Sequence, residues 1–231
     1  MYKLYKITSK IFCLKFEHPY DLAMHFLRAQ EFYESGSSQF KGQSFTIIDF
    51  MEYYAKNLGK GVFTYPDDWA GFNIDSKILK AAYKTVIDFN KYDKEICFIY
   101  NKIKSICKTG KFQLLGILDF DKTFDHELAH SLYATDSKYK KEISVLISEV
   151  PFLIKEHFYS YLNNIEYAKE VFEDELQAYF CNYLPLNWHL KSDFKISSKE
   201  KKQINTLNIR FKTLYAKYRL KIGNKFEEII I

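Results

Sequence analysis

Apolar residues recur along most of this chain three and four positions apart, the period of helices with one buried face. Leu22, Phe26, Ala29 and Phe32 or Tyr33 mark such a helix from about Asp21, ended by Gly36-Ser37-Ser38. Ile47, Phe50, Met51, Tyr54 and Leu58 mark a second, which starts near Ser44 and closes at Gly59 or Gly61. Further helices are expected over residues 75–90, 92–107, from about 123, 138–162 with a restart at Pro151, and 165–184, ending near Pro185. Ser197 and Glu200 form a capping box that opens a last helix. In it Ile204, Leu207, Phe211, Leu214 and Tyr218 keep a regular rhythm as far as Gly223, a C-cap. Strand character is confined to residues 3–17 and the nearly continuous apolar run Lys111–Leu118. The aromatic-rich segment Val62–Phe72 reads as a loop or strand packed against helices rather than as the lining of a cleft. The pattern predicts an α+β, mostly helical fold with a small sheet. No repeat or linker divides it. One domain over residues 1–231 is expected, with an N-terminal sheet-bearing helical part (1–122) and a C-terminal helical part (123–231).

Composition narrows this reading without redirecting it. A chain of 231 residues, 47% hydrophobic and 18% aromatic, can bury a core without disulfides. The net charge of +5 is mild, and the two signs are mixed along the chain, so no dominant basic surface follows. Cys13, Cys97, Cys107 and Cys181 are scattered with no C-x-x-C pair, which fits reduced thiols in a cytosol rather than a disulfide framework or a cysteine zinc site. The lysine-bearing N-terminus has no signal-peptide pattern, and no apolar run approaches the ~18 residues of a membrane span. The expectation is a cytoplasmic protein without a membrane segment.

Only one stretch names a chemistry. His126-Glu127-Leu128-Ala129-His130 spells H-E-x-x-H. On a helix, positions i and i+4 share a face, so both imidazoles can reach one metal ion. The glutamate beside the first histidine then lies near the metal's open coordination position, where it can take a proton from water. Phe124, Leu128 and Leu132 supply a buried face for that helix, and Ala129 is small where ligands must crowd. With only six histidines in the chain, two at ligand spacing around a glutamate favour a metal over a chance surface pair.

These residues, on a helix that follows a strand, resemble the motif of the zincin metallopeptidases. The resemblance covers about residues 112–184. It implies one zinc ion, peptide-bond hydrolysis, and a zincin-like fold with a small sheet packed on the motif helix and a cleft between an N-terminal sheet-bearing part and a C-terminal helical part. A catalytic zinc takes three protein ligands and keeps a fourth position open. The metzincin extension fails here, because Asp136 stands where its third histidine belongs and Tyr133 where its glycine belongs. An aspartate variant of that pattern would use Asp136. The gluzincin branch draws a glutamate from a later helix, and Glu175 suits it. Val171, Phe172, Ala178 and Tyr179 are the helical neighbours of Glu175, whereas Glu173 has a more solvated setting. A carboxylate bordering an apolar stripe needs a compensating cation. Glu175 is therefore the expected third ligand and Asp136 the alternative. The aspartate that usually follows the gluzincin glutamate by four residues is replaced by Tyr179, which leaves orientation of the histidines unassigned.

The implied reaction uses a zinc-activated water with Glu127 as general base. Tyr133, His157, Tyr179, Tyr183 and His189 are candidates for the donor that stabilises the oxyanion. A peptide or protein substrate could add as a strand to residues 112–118 if that strand forms the sheet edge. Two other readings compete. One is a zincin-fold protein that binds zinc without hydrolysis. The other is a nucleic-acid or partner-binding module using Lys199, Lys201, Lys202, Arg210, Lys212, Lys217, Arg219 and Lys221 of the last helix. A solvated face is the preferred account of those charges, so no nucleic-acid partner is expected. Nothing in the pattern indicates an oligomeric state.

Overall fold

The structure, a computed structural model, describes residues 1–84, 86–183 and 197–230. The chain forms two compact units. One comprises Met1–Phe124 together with the chain from Lys225 onward, the other Asp125–Asn224. The fold is α+β and mostly helical, with one small mixed sheet. No described helix is long and apolar enough to cross a membrane.

The first unit holds the sheet. Its strands are β1 (Tyr2–Lys6), β2 (Ile11–Phe16), β3 (Gly71–Asp75), β4 (Gln113–Ile117) and β5 (Glu227–Ile229), in the spatial order β3-β4-β2-β1-β5. The single opening strand expected over 3–17 is thus two antiparallel strands, with Leu4 opposite Leu14. Thr8 makes the turn, its hydroxyl oxygen accepting from the backbone N–H of Lys10 at 3.2 Å and Ile11 at 3.1 Å. β4 lies parallel to β2 on one side and antiparallel to β3 on the other. Both its edges are therefore paired, which overturns strand addition at 112–118: the backbone groups a peptide would need are already used. β5, which the apolar pattern did not show, pairs with β1.

Helix α1 (Pro19–Glu34) packs across the sheet and is buried without a break from Leu22 to Glu31. Gly116 of β4 permits this approach, since a Cβ there would meet Phe26 at 2.4 Å and Leu22 at 2.7 Å. Helix α2 (Ile47–Asn57) starts at its cap Thr46, which accepts from Asp49 N–H. Within the aromatic segment, α3 (Tyr65–Asp68) and β3 contribute Tyr65 and Phe72 to the core, as packing rather than a cleft lining requires. Two helices, α4 (Ser76–Ala82) and α5 (Lys91–Ile106), follow. The helix expected to run to residue 90 stops at Ala82. Asp88 accepts instead from Ile47 N–H and Arg28, and Asn90 with Asp93 makes a capping box for α5.

The second unit is helical. It contains most of α6 (Lys122–Thr135), then α7 (Ser137–Glu149), α8 (Phe152–Asn164), α9 (Phe172–Asn182) and α10 (Ser198–Ile222). Pro151 separates α7 from α8 as expected. A short 3-10 turn over Lys169–Val171 precedes α9, so the helix expected from 165 begins at Phe172. Its expected end near Pro185 lies outside the described residues. Ser197 and Glu200 form the capping box of α10, and Gly223 follows it with φ +74°. The buried stripe of α10 runs through Ile204, Leu207, Asn208, Phe211, Tyr215 and Tyr218. Tyr215 takes the place expected for Leu214. Asn208 is buried with its amide donating to the carbonyls of Phe180 at 2.7 Å and Tyr183 at 2.9 Å, near the C-terminal end of α9.

Candidate metal centre

Helix α6 places its histidines as the motif requires. Phe124, Leu128, Ala129 and Leu132 are buried and fix which way the helix faces. Asp125 anchors its start: its carboxylate accepts from Tyr215 Oη at 2.8 Å and Arg219 Nε at 2.9 Å, while its carbonyl accepts from the Asn182 amide at 3.2 Å. His126 and His130 then present their Nε2 atoms to one another at 3.2 Å. Their rings meet nearly at right angles, centroids 4.8 Å apart.

Helix α9 completes the cluster. Glu175 Oε2 lies 3.7 Å from His126 Nε2, and Glu175 Oε1 lies 3.7 Å from His130 Nε2. These three side chains are the group of potential metal ligands among the described residues. Tetrahedral donors at ~2.0–2.1 Å from zinc stand ~3.3 Å apart, and two imidazoles with one carboxylate form a donor set known for catalytic zinc. The spacing therefore fits zinc with little adjustment. Asp136 is elsewhere occupied: its side chain caps α7 by accepting from the N–H of Lys138 and Tyr139, both at 2.9 Å.

Glu127 is 7% exposed, close to both histidines in sequence and field. Burial pushes its carboxyl above the usual carboxylate range; the histidines oppose the shift, and Glu175 and Asp174 add to it. Burial also works against a charged His130, yet Asp174 and Glu175 outweigh it and hold that imidazole well above the ordinary histidine value. For Glu175 burial is again the largest influence, but His130 and His126 overcome it and lower the carboxyl. Two carboxylates and two imidazoles thus share a nearly dry volume, a setting a divalent cation would relieve.

The sequence reading missed Asp174. Its Oδ1 accepts from His130 Nδ1 at 2.9 Å. Successive residues on a helix diverge by about 100°, so Asp174 and Glu175 can serve the two nitrogens of one ring. The available signal is the acidic residues beside Glu175 in the chain, whereas the position four residues after it holds no carboxylate. That position, Tyr179, instead packs edge-on against His126 with centroids 5.0 Å apart; Tyr183 does the same at 5.6 Å. His126 Nδ1 is buried without a hydrogen-bond partner among the described residues. Of the oxyanion candidates, Tyr179 and Tyr183 are thus beside the centre. Burial, then Glu175, raise the Tyr179 phenol, which keeps it a donor. Tyr133 sits under the Lys140 ammonium, 4.5 Å from its ring centroid. His157 is half-buried on α8 with no ligand-distance contact to the three converging side chains. His189 lies outside the described residues.

The basic residues of α10 are partly committed within the unit. Arg210 pairs with Glu149, Lys217 with Glu142 at 2.8 Å, and Arg219 with Asp125 at 2.9 Å. No protein-family model matches the chain, no curated protein is significantly similar to it in sequence, and no solved structure matches its fold at a significant level.

Proposed function

We propose that this protein is a zinc-dependent metallopeptidase of gluzincin-like type, hydrolysing peptide bonds in a peptide or protein substrate. The observation that carries the proposal is the convergence of His126, His130 and Glu175 at ligand spacing with Glu127 beside them. The zincin-like fold implied by the motif belongs to the same proposal. His126, His130 and Glu175 would hold the ion, which when bound supplies a Lewis acid and lowers the pKa of its water from 15.7 to about 7.

The chain's own residues do the rest. Glu127 takes the proton of the water whose oxygen bonds to the scissile carbonyl carbon. It returns that proton to the amide nitrogen as the C–N bond breaks, giving a carboxylic acid and an amine. Tyr179 and Tyr183, phenols beside His126, are the donors for the developing oxyanion.

The test is metal analysis after chelation and zinc reloading, together with cleavage of a broad peptide library. Stoichiometric zinc in the wild type, lost in His130→Ala and Glu175→Ala but retained in Asp136→Ala, is expected. Zinc bound without cleavage of any library peptide would leave a zinc-binding protein and remove the peptidase. The committed charges of Arg210, Lys217 and Arg219 count against a nucleic-acid surface on α10.

A further inference from the structure

We infer that Gln177 and Tyr139 are positioning residues for the metal centre, acting through Asp174 on His130; the inference rests on the zinc-site reading above. Asp174 Oδ1 accepts from His130 Nδ1 at 2.9 Å and from Gln177 Nε2 at 3.0 Å. Gln177 Oε1 in turn accepts from Tyr139 Oη at 2.9 Å. Gln177 and Tyr139 are both fully buried, so water does not supply substitutes for these bonds.

The chain of bonds has one consistent polarity. An ionised carboxylate only accepts, so Gln177 must turn its NH2 towards Asp174 and its carbonyl towards Tyr139. Tyr139 must then donate. At the other end, the same carboxylate requires the proton of neutral His130 to sit on Nδ1, which leaves the Nε2 lone pair facing His126 and Glu175. The buried phenol on α7 therefore specifies, through two side chains of α9, which nitrogen of His130 is available to a metal. Among the described residues His126 has no such support: its Nδ1 is buried without a partner there, and its ring is held by aromatic contacts with Tyr179 and Tyr183. The two histidines of the motif are thus unequal, one fixed by hydrogen bonds and the other by packing.

Zinc dissociation constants, measured by chelator competition on the full chain at a temperature where each variant is folded, test this. Asp174→Ala should weaken zinc binding about 10- to 100-fold, the usual cost of losing such a carboxylate. Gln177→Met and Tyr139→Phe should each weaken it about 2- to 10-fold, the range of a single hydrogen bond. Adding either change to Asp174→Ala should cost nothing more, because their effect passes through Asp174. The His130 Nδ1–H proton signal of the zinc-loaded wild type, protected from exchange, should broaden or vanish in both single variants. A merely structural role would lower the melting temperature and leave both readouts alone. Additive losses in the double variants, or unchanged zinc affinity and proton signal in Gln177→Met and Tyr139→Phe, would overturn the inference. The metal reading would survive that result, provided that Glu175→Ala still loses zinc. A wild type that binds no zinc removes both.

Discussion

Each unit buries a cluster of charged side chains, and the two clusters are built differently. In the first unit Arg28 meets Asp93 through paired bonds, Nε to Oδ1 and Nη2 to Oδ2, each 3.0 Å. Its remaining donors reach Asp88 at 3.0 Å and the Phe45 carbonyl at 2.5 Å. Asp93 also accepts from Asn90 N–H at 3.0 Å. Donors face acceptors throughout, so the cluster is closed. In the second unit the carboxylates face imidazoles, whose nitrogens can carry either a proton or a metal ion. The His126 and His130 Nε2 atoms and the Glu175 carboxylate converge on a common point, and among the described residues no arginine or lysine pairs with them. A buried ion pair is weak evidence for function, because structure alone accounts for it. Three side chains whose ligand atoms converge are different, since a proton or a metal ion must lie among them to offset their buried lone pairs and charge.

Loss of catalysis is the largest effect expected at the open cluster. Glu127→Gln should lower peptide hydrolysis by about 10²- to 10⁴-fold, the usual contribution of a general base, while zinc content by elemental analysis stays stoichiometric. Loss of zinc in that variant would instead make Glu127 part of the ligand set. At the closed cluster the effect is on stability. Asp93→Ala strands Arg28 and should cost ~3–5 kcal/mol by chemical denaturation, whereas Arg28→Met combined with Asp93→Asn should cost less than that single change. A smaller loss for Asp93→Ala than for the double variant would show that the pair is not closed.

Zinc should distinguish the clusters next. At free zinc 100-fold above the dissociation constant the wild type gains ~2.7 kcal/mol, seen as a higher melting temperature that a chelator reverses. Glu175→Ala should abolish the gain and, without metal, destabilise the protein less than Asp93→Ala does. The smallest effect concerns pH in the metal-free protein. The raised His130 pKa contributes stability that is complete below the ordinary histidine value of about 6.5 and is lost as pH rises through the folded value. The lowered Glu175 pKa contributes stability present above about 4.3 and lost as pH falls through its folded value. Metal-free melting temperature should therefore be higher near pH 5.5 than near pH 9 by this contribution, about as His130→Ala removes it. A wild type and His130→Ala with parallel profiles would mean that the imidazolium has no such partners.

How far the site was legible depends on sequence distance. His126, Glu127 and His130 sit within five residues, and helical geometry alone brings them to one face. Glu175 was reachable because its own neighbours, Phe172, Ala178 and Tyr179, mark a half-buried position on a helix. Asp174 was not reachable in this way. Its role depends on how α9 is rotated against α6, and one residue of rotation exchanges its place with that of Glu175. Gln177 and Tyr139 depend on yet another helix, α7. The fold shows the same division. The capping box at Ser197 and the restart at Pro151 are local chemistry and stand where expected. The stop at Ala82 follows from Asp88 being drawn to Arg28 and Ile47, partners far along the chain.

The sequence by itself determined most of the helical segments, where most of them begin, and that one helix carries two imidazoles and a carboxylate on a single face. Those properties need only the backbone period and nearest neighbours. The tertiary structure alone decided that the opening strand folds back on itself, that β4 is interior, that residues 227–229 complete the sheet, and that Asp174 rather than a residue at position 179 orients His130. Each of these is a pairing between distant segments, and a one-residue change of register or rotation would alter it without altering the local pattern.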